Sequence, residues 1–254
     1  MTASSVSPPP MHAWLDFNSP LSPARSAAMV ERLARGNPRT VVDLGCGWGE
    51  LMLRLLAAVP DAVGTGVDIN VEHLATGRAN AASRGLADRA SFVEEPVADF
   101  SGGPGDVVLC VGSSHAFGDA KPPAHTAVAL RALRGMVGTG GRVLFGEGFW
   151  QRPPSGDDLA RMWPGASADE HMDLTALVDL ATSAGFRPLW IEAATLDEWE
   201  QFESGYLAGK EEWPASHRDH PEAEEVRASA DAHRSMWLGY RGILGFAYLT
   251  LVAC

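Results

Sequence analysis

Two sets of residues in the first third of the chain have the types and spacing that bind a nucleotide cofactor. Gly45, Gly47 and Gly49 form a glycine-rich turn directly after the β-branched run 40–44. Glycine accepts positive φ and lets a ligand approach the backbone N–H groups at the start of a helix. Asp68 ends the next apolar run, 19 residues after Gly49. A carboxylate at about this spacing accepts hydrogen bonds from ribose hydroxyls in a strand–helix–strand unit.

The residue that follows the last glycine separates two cofactor classes. A dinucleotide-binding G-x-G-x-x-G motif needs Gly or Ala at its last position so that the helix can pack on the strand. This chain has Glu50 there. An NAD-dependent oxidoreductase is therefore the less favoured alternative. The acidic residue and alternating glycines of segment 43–49 instead resemble the first motif of class I S-adenosylmethionine-dependent methyltransferases.

The resemblance implies S-adenosyl-L-methionine as the cofactor and assigns the ribose contact to Asp68. Many members of the family carry an aspartate at the position of Pro96, which contacts the adenine amino group. In this chain the backbone N–H of Val97 can still meet the ring, and Asp99 is the alternative that could replace the missing carboxylate. The expected cofactor-binding residues lie in the glycine turn and at strand ends, and they are Asp43, Gly45, Cys46, Gly47, Gly49, Asp68, Ile69, Pro96, Val97 and Val111.

The charge balance narrows the range of partners. The sequence has 20 basic and 32 acidic residues, a formal net charge of −12, which opposes nucleic-acid phosphates and anionic membrane surfaces. The longest apolar run, 243–254, is shorter than the ~20 residues of a membrane-spanning helix. We therefore expect a small-molecule substrate, no nucleic-acid partner and no membrane association. The oligomeric state stays open, with a homodimer as one alternative.

The cysteines and the first residues indicate the compartment. Cys46, Cys110 and Cys254 are odd in number and far apart, which predicts neither a disulfide framework nor a metal site. Residues 1–11 are small, polar and proline-rich without the features of a signal peptide, so we expect them to be disordered. Together these features predict a cytoplasmic protein that binds no metal.

Strand and helix patterns alternate along the chain, which predicts a doubly wound α/β sheet. Helices are expected at 24–33, 49–58, 71–84, 123–137 and 171–184. Strands are expected at 40–44, 62–68, 89–93, 105–111, 141–147, 186–194 and 243–252. The predicted architecture is one domain over 1–254 with a seven-stranded, mostly parallel sheet, and the family resemblance makes its last strand antiparallel. An N-terminal helical lid precedes the sheet, and residues 195–241 form a helical cap between strands six and seven.

Polar residues that follow the fourth and fifth strands are candidates for catalysis. Ligands of such sheets bind outside the carboxyl ends of the strands. Methyl transfer is an in-line displacement in which positioning dominates, and a base is needed only when the acceptor nucleophile carries a proton. His115 is the first candidate for that base because imidazole titrates near neutral pH. Glu147 is the second, either as a base or as the binder of an acceptor amine.

Aromatic and polar residues near these positions are candidates for contact with the acceptor. They are Trp14, Phe17, Ser114, Trp150, Tyr206 and Trp237. Aromatic residues at helical spacing also build helix cores, and this alternative applies equally to the cap. A further alternative for the whole chain is a catalytically silent S-adenosylmethionine-binding subunit. The identity of the acceptor and of its methylated atom stays open.

Overall fold

The computed structural model describes residues 13–254, so the predicted disorder of 1–11 lies outside the described residues. A single seven-stranded sheet has the order β3-β2-β1-β4-β5-β7-β6. Strands β1 to β5 are parallel to one another, and β7 runs antiparallel to both β5 and β6. The strands are β1 (Thr40–Leu44), β2 (Val63–Asp68), β3 (Ala90–Glu94), β4 (Gly105–Val111), β5 (Val137–Trp150), β6 (Phe186–Ala193) and β7 (Leu244–Ala253). The predicted fold class is confirmed.

Eight α-helices accompany the sheet within the described residues. They are α1 (Pro23–Ala34), α2 (Glu50–Ala58), α3 (Val71–Ser83), α4 (Ala124–Gly135), α5 (Gly156–Leu159), α6 (Leu174–Ser183), α7 (Leu196–Ser216) and α8 (Ala223–Tyr240). The start of α1 agrees with its sequence signal, since the Ser22 side chain accepts a hydrogen bond from the backbone N–H of Arg25 and Pro23 occupies the first turn. Such a cap stabilises a helix by about 1 kcal/mol.

Helices cover both faces of the sheet because successive strand residues point to opposite sides. Leu144 packs in a core with residues of α1, α2 and α3, whereas its neighbour Phe145 packs in a second core with residues of α4 and α6. Both side chains are fully buried. Each face of the sheet is covered by helices, so apolar strands and helices follow one another along most of the sequence.

Strand β5 is longer than predicted, and this changes the environment of two candidate site residues. The sequence pattern ends the strand at Glu147, but the ladder to β7 continues through the pair Trp150–Leu244. A regular antiparallel partner supplies hydrogen bonds to each added residue, so the strand extends as far as β7 does. Glu147 is consequently a residue within the strand, and Trp150 is its last residue.

The predicted helical cap is present as the pair α7 and α8. The break between them begins at His217, after α7, rather than at Trp213 as the sequence pattern predicts. Pro214 lies in the last turn of α7 and has no N–H to donate to the carbonyl of Lys210, four residues before it. The two helices are joined by the buried carboxylate of Glu203, which accepts hydrogen bonds from the Tyr240 hydroxyl and pairs with His233 Nε2 at 2.6 Å. No helix within 13–254 is long and apolar enough to cross a lipid bilayer.

Candidate functional site

The glycine turn after β1 adopts a backbone that only glycine accepts readily. Gly45, Gly47 and Gly49 have φ of +68°, +55° and +67°, in the left-handed region that side chains with a Cβ disfavour. A Cβ on Gly45 would also lie 2.3 Å from Cβ of Ser113. The turn therefore needs glycine both for its φ angles and for its approach to the residues that follow β4.

The carboxylate of Asp68 connects the glycine turn to the start of α3. Its Oδ2 accepts a hydrogen bond from the backbone N–H of Gly47 at 2.8 Å, and its Oδ1 accepts one from the N–H of Asn70 at 2.8 Å. Asn70 in turn caps α3 through its side chain. Each carboxylate oxygen has two lone pairs, so Asp68 can accept further hydrogen bonds from a ligand while both of these contacts persist.

These residues form the wall of a cavity of about 470 Å³, a volume typical of small-molecule sites. The structure brings nine of the predicted cofactor residues together there, namely Asp43, Gly45, Cys46, Gly47, Asp68, Ile69, Pro96, Val97 and Val111. Gly49 is set back from the cavity. Its N–H bonds to the carbonyl of Cys46 at 2.8 Å, and a Cβ there would lie 2.7 Å from the Phe92 ring. Gly49 therefore shapes the turn and the start of α2.

The cavity is negatively charged. Asp43 is buried at its floor, and burial together with the charge of Asp68 raises the pKa of its carboxyl to about 7. Glu50, at the start of α2, also lines the cavity, but both of its oxygens are held at 2.7 Å in ion pairs with Arg54 and Arg84. None of the described residues that line this cavity is a lysine or an arginine. The cavity therefore favours a ligand that carries positive charge.

Ten of the residues that line this cavity were not among the predicted site residues: Asn18, Ser19, Trp48, Glu50, Leu51, Asn70, His73, Gly112, Ser113 and Ala116. Asn18 and Ser19 belong to the segment before α1, which bends over the cavity because the Trp48 indole N–H donates to the carbonyl of Asp16 at 2.7 Å. This position agrees with the predicted N-terminal lid, whereas the Trp48 contact that holds the segment was not predicted from the sequence.

The two predicted catalytic residues lie in different environments. His115 belongs to the 3₁₀ turn Ser114–Phe117 that follows β4, and it lines the cavity with an exposed side chain. Glu147 does not reach the cavity, because its side chain lies on the same face of β5 as Phe145, towards α4. Its Oε1 accepts a hydrogen bond from the N–H of Gly148 at 3.0 Å. Its Oε2 accepts no hydrogen bond among residues 13–254, and Nε2 of His125 lies 4.0 Å away from it.

A buried polar cluster surrounds Glu147, and its histidines were not among the sequence candidates. Burial raises the pKa of Glu147, against the effect of the nearby hydroxyl of Ser114, the N–H of Gly148 and the hydroxyl of Thr126. Burial, followed by the proximity of His115, lowers the pKa of His125, and burial with the proximity of His125 lowers that of His171 to about 4. The structure therefore separates Glu147 from the cavity and leaves His115 as the candidate base that faces it.

The residues predicted to contact the acceptor also fall into two groups, those that line a cavity and those that do not. Phe17 lines the large cavity, and Trp14 and Phe17 both line a second cavity of about 140 Å³ between the segment before α1 and helix α7. Ser114, the first residue of the turn that carries His115, is buried and lines neither cavity. The remaining three residues lie away from both cavities.

Those three aromatic residues pack against neighbouring side chains instead. Trp150 stacks on Trp163 with ring centroids 6.3 Å apart, and its indole N–H donates to the carbonyl of Ala168. Tyr206 stacks on His233 at 4.2 Å. Trp237 stacks on Trp199 at 6.2 Å. The aromatic stripes of α7 and α8 thus build the core of the cap, and neither helix lines the large cavity.

The part of the chain that holds this geometry matches a known protein family. Residues 41–136, which run from β1 to the end of α4, match the family model described as a methyltransferase domain. Their glycine turn is the one that the first motif predicts. This part of the chain is a methyltransferase domain. The family prediction is confirmed.

Similar proteins extend the likeness beyond this segment to most of the chain. The uncharacterized protein YjhP of Escherichia coli (strain K12) is 27% identical over 229 residues, which are 89% of this chain and 90% of that protein. Two solved methyltransferases share the fold with a TM-score of 0.83, 24% identity and 96% coverage of both chains. They come from Geobacter sulfurreducens and Thiobacillus denitrificans, and each was crystallised with S-adenosyl-L-homocysteine. The similarity therefore includes β6, the cap and β7.

Proposed function

We propose that this methyltransferase binds S-adenosyl-L-methionine in the 470 Å³ cavity and transfers its methyl group to an oxygen, nitrogen or sulfur atom of a small molecule. The observation that carries the proposal is the 2.8 Å hydrogen bond between Gly47 N–H and Asp68 Oδ2. It joins the two parts of the sequence signal, which are 21 residues apart in the chain, in the wall of one cavity.

The residues present fit this cofactor in shape and in charge. The left-handed turn leaves room for a ligand against the backbone of Gly47, where a Cβ would meet no atom closer than 4.0 Å. The Asp68 carboxylate retains lone pairs for ribose hydroxyls. The cationic sulfonium and ammonium groups suit a cavity that contains the buried Asp43 and no lysine or arginine among its described lining residues.

The chemistry follows from the groups that face the cavity. When bound, S-adenosylmethionine supplies an electrophilic methyl group on a sulfonium sulfur. The protein holds the acceptor nucleophile in line with that methyl group, which lowers the entropic part of the barrier. His115 accepts the proton from a hydroxyl or protonated amine acceptor, a role that contributes about 10²–10⁴-fold in such reactions. Glu147 does not accept the proton of the acceptor, because it lies outside the cavity.

The environment of Glu50 argues against the dinucleotide alternative. In NAD-binding proteins the pyrophosphate lies at the N-terminus of the helix after the glycine turn. Here Glu50 is the first residue of that helix, is buried and faces the cavity. Its side chain occupies the position where the dinucleotide motif needs Gly or Ala so that the helix can pack closely on the strand. The alternative of a catalytically silent subunit differs only in turnover, which a screen for S-adenosylhomocysteine formation with candidate acceptors detects.

Calorimetry with S-adenosylmethionine, S-adenosylhomocysteine and NADH tests the proposal. The first two ligands should bind and NADH should not. Asp68→Ala should weaken binding by roughly 1.5–3 kcal/mol, about ten- to a hundredfold. Asp88→Ala is the matched control, since Asp88 is exposed and does not line the cavity. Equal affinity of the folded Asp68→Ala variant and the control would contradict the proposed site.

A further inference from the structure

The segment before α1 forms one wall of the large cavity, which Phe17, Asn18 and Ser19 line. On its other side this segment packs against helix α7, none of whose described residues lines the large cavity. We propose that α7 sets the affinity for the cofactor by positioning residues 14–22, here called the strap, against the bound ligand. This proposal rests on the proposed function, because its ligand is the cofactor proposed there.

A buried carboxylate fixes the C-terminal end of the strap to the first turn of α7. Glu198 is buried, and its Oε1 accepts hydrogen bonds from Ser22 Oγ at 2.7 Å and from Arg25 Nε at 2.8 Å. Its Oε2 accepts a hydrogen bond from the N–H of Thr195 at 2.8 Å, which caps α7 itself. Hydrogen bonds to charged groups stabilise more than neutral ones. One side chain therefore holds the start of α7 and the end of the strap together.

The N-terminal end of the strap packs on α7 roughly two turns further along, at a glycine. A Cβ on Gly205 would lie 2.4 Å from Leu15 Cδ2 and 3.3 Å from the carbonyl oxygen of Trp14. Carbon atoms in contact prefer about 3.5–4.0 Å, so a side chain at position 205 would displace Leu15. Glycine inside a helix is less favourable than alanine, and this close approach of the strap gives Gly205 a packing role. The nearby carboxylate of Glu203 bonds instead to side chains of α8.

Between its two ends the strap contacts the glycine turn and α2. The Trp48 indole N–H donates to the carbonyl of Asp16 at 2.7 Å, and the Arg54 guanidinium pairs with the Asp16 carboxylate at 3.0 Å. The same guanidinium lies 4.7 Å from the ring centroid of Phe17. The second cavity, of about 140 Å³, lies between the strap and α7. The middle of the strap is therefore held by α2, whereas both of its ends are held by α7.

A strap that is fixed at both ends presents Phe17, Asn18 and Ser19 to a ligand in a single arrangement. Ordering a free segment on binding costs conformational entropy, and a segment already held in its bound conformation avoids that cost. Releasing either end of the strap from α7 should therefore weaken cofactor binding, even where the substituted residue lies outside the large cavity. Gly205 and Leu15 meet this condition, because neither lines it.

A double-mutant cycle with S-adenosylhomocysteine as the probe tests the inference by calorimetry. Gly205→Leu pushes the strap away from α7 and should weaken binding by about tenfold. Leu15→Ala removes the same contact from the strap and should weaken binding by about threefold. In the double variant the new side chain of α7 fills the space that Leu15 leaves, so the affinity should recover to within about twofold of wild type. The losses should appear mainly as faster dissociation in stopped-flow fluorescence.

Two matched controls and a second readout accompany the cycle. Gly135→Leu is the control for Gly205→Leu, because Gly135 is the last residue of α4 and a Cβ there would meet no atom within 4 Å. Leu238→Ala is the control for Leu15→Ala, because Leu238 of α8 is exposed. Both controls should keep the wild-type affinity. Hydrogen exchange of the amides of 15–19 in the ligand-free protein should be faster in the two strap variants than in the controls.

The outcomes separate this inference from the proposed function. If the wild-type protein does not bind S-adenosylhomocysteine, the cofactor site is wrong and the inference fails with it. If the wild type binds and the strap variants bind as tightly as their controls, the cofactor site stands and α7 does not position the strap. A double variant that shows the sum of the two single losses also overturns the inference, because the two residues then act independently. If Gly205→Leu does not fold, the affinity and exchange rates of Leu15→Ala decide.

Discussion

The hydroxyl of Ser113 donates a hydrogen bond to the carbonyl of Leu44 at 2.6 Å. This contact ties the residue after β4 to the last residue of β1, directly beneath the glycine turn. Ser113→Ala should lower the free energy of unfolding by about 1 kcal/mol, as expected for one buried hydrogen bond, and should weaken S-adenosylhomocysteine binding. Ser183→Ala, which removes an exposed hydroxyl from α6, is the control in urea unfolding. Equal stability of the two variants would show that the contact does not support the turn.

The raised pKa of Asp43, about 7 because of burial and the nearby Asp68, predicts a pH dependence of ligand binding. A cationic ligand favours the carboxylate form, so S-adenosylmethionine affinity should increase between pH 6 and pH 8 and then level off. Asp43→Asn should bind more weakly and lose this increase. Calorimetry at four pH values checks the prediction, and a wild-type affinity that does not change with pH would contradict it.

The same pKa has a consequence for the stability of the ligand-free protein. Because the folded-state pKa of Asp43 is above its value of about 3.8 in the unfolded chain, the folded state binds a proton more tightly. The contribution of this carboxyl to stability is therefore present at acidic pH and lost as pH rises through about 7. Asp43→Asn should raise Tm at pH 8 relative to wild type and leave it nearly unchanged at pH 4. An equal effect at both pH values would rule out titration as the cause.

Glu147 allows a test of a buried carboxyl outside the cavity. Its pKa is raised above the ordinary value, chiefly by burial, so its ionisation opposes folding at high pH. Glu147→Gln keeps the shape and removes the charge, and it should unfold at higher urea concentration than wild type at pH 8. S-adenosylhomocysteine affinity should not change. A loss of affinity above about threefold, roughly 0.7 kcal/mol, would place Glu147 in contact with the ligand.

His115 is expected to act on the acceptor and not on the cofactor. His115→Gln should reduce kcat with an accepted substrate by about 10²–10⁴-fold, and the pH dependence of kcat should change. Its affinity for S-adenosylhomocysteine should stay within about twofold of wild type, which rules out a general defect. A loss of kcat below about threefold with an unchanged profile would assign catalysis to positioning alone.

A substitution in the cap should change the stability of the protein without changing its affinity for S-adenosylhomocysteine. Glu203 is buried and joins Tyr240 and His233 across α7 and α8. Glu203→Ala leaves two buried polar groups without their partner and should lower the free energy of unfolding by about 3 kcal/mol. Because neither helix lines the large cavity, S-adenosylhomocysteine should still bind the folded fraction with wild-type affinity. Chemical unfolding and calorimetry on one preparation measure both quantities.

The sequence by itself determined the elements whose signals are local. The turn was predictable from Gly45, Gly47 and Gly49, because glycine is the residue that readily adopts positive φ. The cofactor class was predictable from these glycines together with Asp68, because one strand–helix–strand unit sets the number of residues between them. The start of α1 at Ser22 and Pro23 was equally predictable. The alternation of apolar segments predicts the sheet.

Only the tertiary structure decided which of the remaining candidates meet the cavity. Glu147 and His115 were both predicted as site residues because each lies near a predicted strand end. Pairing with β7 extends β5 past Glu147, whose side chain faces α4 and lies near His125. Trp237 fits a lining residue as well as a core residue by its spacing, and the packing of α7 on α8 places it in the core. The direction of a side chain depends on strand register and on which helix packs against it, and both are set by residues far away in the sequence.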